Sequence, residues 1–391
     1  MDFLFAKRMS NLGTEGAFEV LARARALEAQ GKQVIHLEIG EPDFDTPANI
    51  KEAAYKAMLD GYTHYVPAPG IKEAREAIAR YTGGLRGVEV LPEEIIITAG
   101  AKPVMYFAIT ALVEEGEEVI YPNPGYPIYE SIINFVGAKS IPLPYLEESN
   151  FKPDLDLLKK LITPKTRMLI INTPHNPTGA TMSMEELEEI ANLVRGKNIW
   201  VMADEIYNRI AYGIPTPTPS IFSLPGMKDQ TIIIDGFSKI YAMTGWRLGF
   251  GVAPKDVIAK MSTLSLNTYS HATAFVQMAG IEAIQGPQEG PAKMVEEFAI
   301  RREHFVKALN DIPGVKCVAP QGAFYVFPSF RGYNISSQEL ATRLLNEAGV
   351  AGLTGTAFGI YGQGHLRFSF ANSLDNIKIA VEKIGDFLKN L

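Results

Sequence analysis

The chain holds one cysteine, Cys317, among 391 residues. A single thiol excludes an internal disulfide and any zinc site built on several cysteines. Cys317 itself reads as a small hydrophobe beside a strand. Long apolar runs are also missing: no stretch approaches the roughly 18 residues that a membrane-spanning helix needs. The opening Met1-Asp2-Phe3-Leu4-Phe5-Ala6-Lys7-Arg8 is too short and apolar only before its basic pair, the wrong order for a secretory leader. There is no basic surplus. Lys and Arg number 37 against 44 Asp and Glu, a formal net charge of −7, so the positive surface that nucleic-acid phosphates require is absent. No internal repeat, low-complexity tract or charge run interrupts the chain. What remains is 47% hydrophobic and 21% charged, a globular composition, in a chain too long for one ordinary core. Two domains, a cytoplasmic location, no metal, no nucleic acid and no membrane are the expectations.

Buried β-branched runs organise the middle of the sequence. They predict strands at 95–98, 119–121, 138–143, 168–172, 199–203, 231–235 and 248–252, with helices at 103–113, 128–135, 184–194 and 255–266. Alternation of strand and helix implies parallel pairing through right-handed crossovers, hence an α/β doubly wound layer. Ahead of it, helices are expected at 16–30, 49–60 and 72–81, with a short strand at 34–39. After it come long helices at 271–284 and 291–309, strands at 315–319, 323–326 and 366–370, and helices at 337–348 and 373–388. The N-terminal helix is expected to join this second, α+β unit. The domain reading is therefore 1–45 and 286–391 as a discontinuous small domain around a large domain, 46–285.

Ligands of open α/β sheets bind beyond the carboxyl ends of the strands, so the segments that follow strands matter most. After the strand 231–235 comes Gly236-Phe237-Ser238-Lys239, with Arg247 eight residues on. A lysine just past a buried strand is open to desolvation, which lowers its pKa and yields the neutral amine of Schiff-base chemistry. The arginine offers a rigid fork for a phosphate. Thr98-Ala99-Gly100-Ala101-Lys102 is either a tight strand-to-helix turn or a backbone cradle for an anion at a helix N-terminus. Pro124-Gly125-Tyr126 sets an aromatic at the mouth of the sheet. Asn176 and Asp204 close two further strands, at spacings of 28 and then 35 residues to Lys239. Arg367, flanked by apolar residues, is poorly explained as a solvated charge and suits a carboxylate clamp.

Ser238-Lys239 with Met243-Thr244-Gly245-Trp246-Arg247-Leu248-Gly249, Asn176-Pro177-Thr178-Gly179, and Gly40-Glu41-Pro42-Asp43-Phe44 together resemble the fold-type I, class I aminotransferases. The resemblance spans about residues 10–390 and is nearest to the prokaryotic aspartate/aromatic/alanine subgroup. It implies a mostly parallel seven-stranded sheet in a large domain, a smaller α+β domain, and pyridoxal 5'-phosphate (PLP) as cofactor. It also implies roles. Lys239 carries the cofactor and acts as base, Asp204 pairs with the pyridinium nitrogen, and Tyr126 stacks on the ring. Asn176 and Tyr207 bond the phenolic oxygen. Ala101, Lys102, Ser238 and Arg247 hold the phosphate, with Tyr65 reaching over from the second subunit of a homodimer. Gly40, Asn176 and Arg367 receive the substrate carboxylate, and His175 is a supporting residue.

Gly236 departs from the pattern, standing where some relatives have a phosphate-binding serine. The implied reaction moves an amino group from an L-amino acid (aspartate, alanine, glutamate or aromatic) to a 2-oxo acid such as 2-oxoglutarate. Lys102 matches a lysine that a subgroup uses for acidic side chains, whereas 267–273 lacks the arginine of some aspartate-specific relatives. The alternative on the same fold is a PLP-dependent C–S lyase or decarboxylase. A PLP-binding transcriptional regulator would need an added basic domain for which the N-terminus has no room, and a Schiff-base aldolase would need no cofactor.

Overall fold

A computed structural model describes residues 4–391; Met1 to Phe3 of the opening run lie outside the described residues. In chain order the main elements begin with α1 (Gly16–Glu28), β1 (Ile35–His36), α2 (Ala48–Leu59) and α3 (Lys72–Arg86). The alternating middle follows: β2 (Ile95–Thr98), α4 (Lys102–Leu112), β3 (Glu118–Asn123), α5 (Ile128–Phe135), β4 (Lys139–Pro144), α6 (Leu155–Leu161), β5 (Thr166–Asn172), α7 (Met184–Val194), β6 (Trp200–Asp204), β7 (Thr231–Gly236), β8 (Gly249–Val252) and α8 (Lys255–Leu266). Then come α9 (Ala274–Gln285), α10 (Glu289–Asn310), β9 (Tyr325–Val326), α11 (Ser337–Arg343), β10 (Val350–Ala351), β11 (Leu353–Thr354), β12 (Leu366–Ser369) and α12 (Leu374–Lys389).

Seven strands form one sheet in the order β2-β8-β7-β6-β5-β3-β4. β2, β7 and β8 are buried along their whole length, as helix-covered strands must be; in β8 one face carries only Gly249 and Gly251, which lie against Ala101 and Val104. Pairing is parallel from β4 through β7, the expected α/β layer. The one reversal is β8, antiparallel to both β2 and β7. Only a loop of irregular backbone joins β7 to β8. Without a crossover helix to carry the chain back, the returning strand must run the other way.

Several expected elements take other bounds. Segment 315–319 forms no strand; it makes a single bridge, Lys316 to Ser329. The expected strand 34–39 narrows to Ile35–His36 because its continuation serves another strand: Leu37 accepts from the Ser369 amide and Glu38 from the Arg367 guanidinium. α3 runs on through Gly83-Gly84 to Arg86, since its inward face (Ala74, Ile78, Thr82, Arg86) remains buried. The helix expected from 271 starts at Ala274, and the one expected over 337–348 gives way after Arg343 to a wider turn, Leu344–Ala348. α6 is additional, started by Asp154, whose carboxylate accepts from the Leu157 amide at 3.0 Å.

A second set of short strands lies with the C-terminal helices: β11-β12-β9 form one antiparallel sheet, and β1 pairs in parallel with β10. Behind the main sheet, buried Arg86 bonds Glu205 Oε2 through Nε at 3.0 Å and reaches Asp235 Oδ2 at 3.3 Å, while Asn208 donates to Asp235 at 2.8 Å. This network ties together the ends of β6 and β7, the strands that deliver Asp204 and Lys239. Among the described residues no helix is long and apolar enough to cross a membrane.

Candidate active site

The carboxyl ends of the parallel strands open into a cavity of about 550 Å³. Lys239 lines it from the loop after β7. Its Nζ donates to the Gly40 carbonyl at 2.5 Å and lies 5.9 Å from the Tyr207 ring and 5.7 Å from the Phe324 ring. Burial, reinforced by the Arg367 guanidinium, lowers its pKa to about 8, so the neutral amine is within reach at physiological pH. Gly40 has no room for a side chain: a Cβ there would meet the Tyr325 hydroxyl.

Asp204 ends β6. Its Oδ2 accepts from the Tyr129 hydroxyl at 2.6 Å and its Oδ1 from the Ile206 amide at 3.3 Å. Burial raises the carboxyl to about 6 against those two bonds. Such a carboxylate gains most from a cationic partner that the chain itself does not bring into contact. Asn176 follows β5; its side-chain oxygen accepts from Arg367 Nη1 at 3.1 Å. Arg367, on β12, also donates through Nη2 to Glu38 O at 2.7 Å, and its guanidinium lies 4.3 Å from the Tyr325 ring and 4.8 Å from the Phe358 ring. Its buried Nε has no partner, leaving a donor free for a ligand. Tyr207 shares a 2.8 Å hydrogen bond with Tyr325. His175 bonds Thr178 through Nδ1 at 2.8 Å, and burial lowers it to about 3, which keeps the ring neutral.

At the other end of the cavity, α4 begins at Lys102 with Ala101 as its N-cap, and the first N–H groups of a helix have no intrahelical partner. Gly100 has φ 84°, and a Cβ on it would collide with the Arg247 guanidinium. Arg247 itself has φ 54° and donates to the Thr244 carbonyl at 2.8 Å. Ser238 lines the same space. Gly236 faces Gly249 so closely that a Cβ would come 2.9 Å from the Gly249 Cα; the serine of some relatives would require the two strands to separate. Tyr126 also lines the cavity, edge-on to Tyr129 with ring centres 5.7 Å apart.

Of the expected set, Tyr65 and the supporting His175 do not line this cavity; Tyr65 is 92% exposed and edge-on to His271. Sequence reasoning missed Tyr129, Tyr325, Glu38 and Glu15. Tyr325 lies on a strand that was expected, and two further aromatics beside it gave no reason to single it out. Glu15 had one signal, an acidic residue directly before a helix.

These residues fit a cofactor that bears an aldehyde, an anion and a ring cation. The cavity offers an amine of lowered pKa, helix-end amides beside a guanidinium with no room for a Cβ at Gly100, and a buried carboxylate awaiting a cation. The fold is that of the fold-type I transferases, which work with pyridoxal 5'-phosphate. The family model of class I and II aminotransferases matches residues 32–384, and the chain belongs to that family. It is 41% identical to the aspartate aminotransferase of Pyrococcus horikoshii over 99% of this chain and 98% of that one. Aromatic-amino-acid aminotransferase 2 of Thermococcus litoralis is 39% identical, covering 92% and 93%. The alanine aminotransferase structure from Pyrococcus furiosus superposes with a TM-score of 0.94 at 32% identity, over 99% of this chain and all of that one. The protein is a PLP-dependent transaminase acting on an amino acid and a 2-oxo acid.

Proposed function

We propose that Lys239 is the catalytic base and cofactor-bearing residue of this transaminase. The supporting observation is its amine, lowered to about 8 at the floor of the cavity, with Arg367 on the substrate side. Asp204 would hold the ring nitrogen, Tyr126 the ring face, and Asn176 with Tyr207 the phenolic oxygen. The amides of Ala101 and Lys102, with Ser238 and Arg247, would hold the phosphate. When bound, the cofactor supplies an aldehyde that takes the amino group and a ring that accepts electron density from the substrate Cα.

The chain's own work is then positional and protonic. Arg367 clamps the substrate α-carboxylate with donors already aligned by Asn176 and Glu38, and Gly40 leaves room for that carboxylate. Lys239, as a neutral amine, removes the substrate Cα proton, and its ammonium form would then return a proton, from the same face, to the carbon that bore the cofactor's aldehyde. Lys239→Ala should lose turnover by several orders of magnitude, measured with a panel of amino donors and 2-oxoglutarate; robust multiple turnover in that variant would refute the role.

Aspartate, alanine, glutamate and aromatic amino acids are the proposed donors; the relatives' names include aspartate, aromatic amino acids and alanine. The proposal extends to a cytoplasmic homodimer in which Tyr65 completes the phosphate site of the second subunit, and exposed Tyr55, Leu59 and Tyr65 on and after α2 support an interface there. It also takes 46–285 as the large domain and 1–45 with 286–391 as the small one, for which the pairing of β1 with β10 is the support.

A further inference from the structure

At one edge of the cavity, near Lys102 and Tyr126, a residue with no part in that chemistry enters the space. Glu15, directly before α1, comes in from the N-terminal segment. One oxygen, Oε1, takes two contacts: it pairs with the Lys102 ammonium and accepts from the Tyr126 hydroxyl at 2.7 Å. The segment before it is anchored, since the Gly13 amide donates to Ser131 Oγ at 2.9 Å and the Ser131 hydroxyl donates back to the Gly13 carbonyl at 3.2 Å. The carboxylate is therefore delivered to one place. It is mostly covered, its side chain 20% exposed, whereas Lys102 remains 45% exposed.

An ammonium and a phenol converging on one point form a seat for a carboxylate, and in the free protein that seat holds the chain's own. We propose that Glu15 sets the choice between acidic and uncharged substrates by occupying, at Lys102 and Tyr126, the position that the distal carboxylate of a dicarboxylic substrate takes. The proposal rests on the transaminase reading, which supplies the α-carboxylate clamp at Arg367. Two carboxylates at one ammonium repel, so an acidic substrate enters only by displacing Glu15. An uncharged side chain leaves the ion pair in place and packs on the apolar lining, which includes Phe18 and Met105. Glu15 is thus a positioning residue that acts through Lys102, and it gives one site tolerance for both substrate kinds.

The test uses the holoenzyme and two carboxylates that cannot transaminate: succinate, which carries the second charge, and 3-phenylpropionate, which does not. Glu15→Gln should tighten succinate by about two- to fivefold relative to 3-phenylpropionate, the scale of one partly exposed ion pair released for a ligand. The single-turnover aspartate-to-alanine ratio of kcat/KM should rise with it, through KM rather than kcat. In a Lys102→Met background the same change should move neither ratio. Equal weakening of both carboxylates in Glu15→Gln, or a gain that persists without Lys102, would overturn the proposal. The transaminase reading fails separately, if the unmodified protein turns over no donor; the succinate comparison still reports on Glu15 in that case.

Discussion

Lys239 shows at the scale of one residue how burial is turned to use. In an unfolded chain a lysine titrates near 10.4, whereas in the fold this one titrates at about 8. Between those values the unfolded chain holds more protons than the folded one, so the cofactor-free protein should gain stability as pH rises from about 8 to about 10.4. Below pH 8 both states are protonated, and the desolvated ammonium weighs against folding in full. Lys239→Met removes that group. The variant should exceed the parent in stability at pH 7, and the two should converge above about pH 10.4, in denaturant titrations at a series of pH values. A constant offset across the range would show that the amine is not desolvated. Residues of this kind were legible in the sequence because their neighbours in the chain are also their neighbours in the site: Ser238-Lys239, Asn176-Pro177-Thr178-Gly179, Ala203-Asp204-Glu205. The partners that tune them were not. Tyr129 bonds Asp204 across 75 residues, Tyr126 bonds Glu15 across 111 and Tyr207 bonds Tyr325 across 118, and no local pattern encodes such meetings.

Elements were readable where burial on both faces leaves a continuous β-branched run, as in β2 and β7, and where a helix has a plain start, as in α7 with Ser183 capping and Glu186 closing the box. They were unreadable where pairing decides: the direction of β8, and segment 315–319, which has strand-like residues yet only one bridge. The length of α3 belongs to the same class, because its last turn exists to bring Arg86 to Glu205 and Asp235. Burial raises Asp235 to about 6, with Arg86 holding it down. Arg86→Ala would leave two buried carboxylates facing each other without their cation. The expected loss is about 3–5 kcal/mol in urea unfolding, with a further upward drift of the Asp235 pKa that moves the loss toward higher pH. Asp235 can then take up a proton in the folded state, so acidification should restore part of the stability. A variant as stable as the parent at neutral pH would show that the network does not hold β6 and β7 together.

For the whole molecule, the proposed homodimer means that one chain would not close its own site. Every other expected contact lines the cavity, and Tyr65 points into solvent, in company with Tyr55 and Leu59 at 62% and 71% exposed. Exposed apolar residues of that size on α2 and the following loop suit the covered face of the proposed homodimer, in which a twofold axis would let each Tyr65 serve the other cavity. Leu59→Glu sets a charge into that face. Sedimentation should then shift the species from twice 42.9 kDa toward 42.9 kDa, and cofactor retention should weaken with dilution because the phosphate loses a hydroxyl supplied in trans. Tyr65→Phe separates the two effects: it should keep the dimer and weaken cofactor retention alone, by about tenfold for one lost hydrogen bond to a charged group. A parent protein that sediments at 42.9 kDa with its cofactor fully retained at every dilution would remove Tyr65 from the site and leave Ser238, Arg247 and the amides of Ala101 and Lys102 to hold the phosphate by themselves.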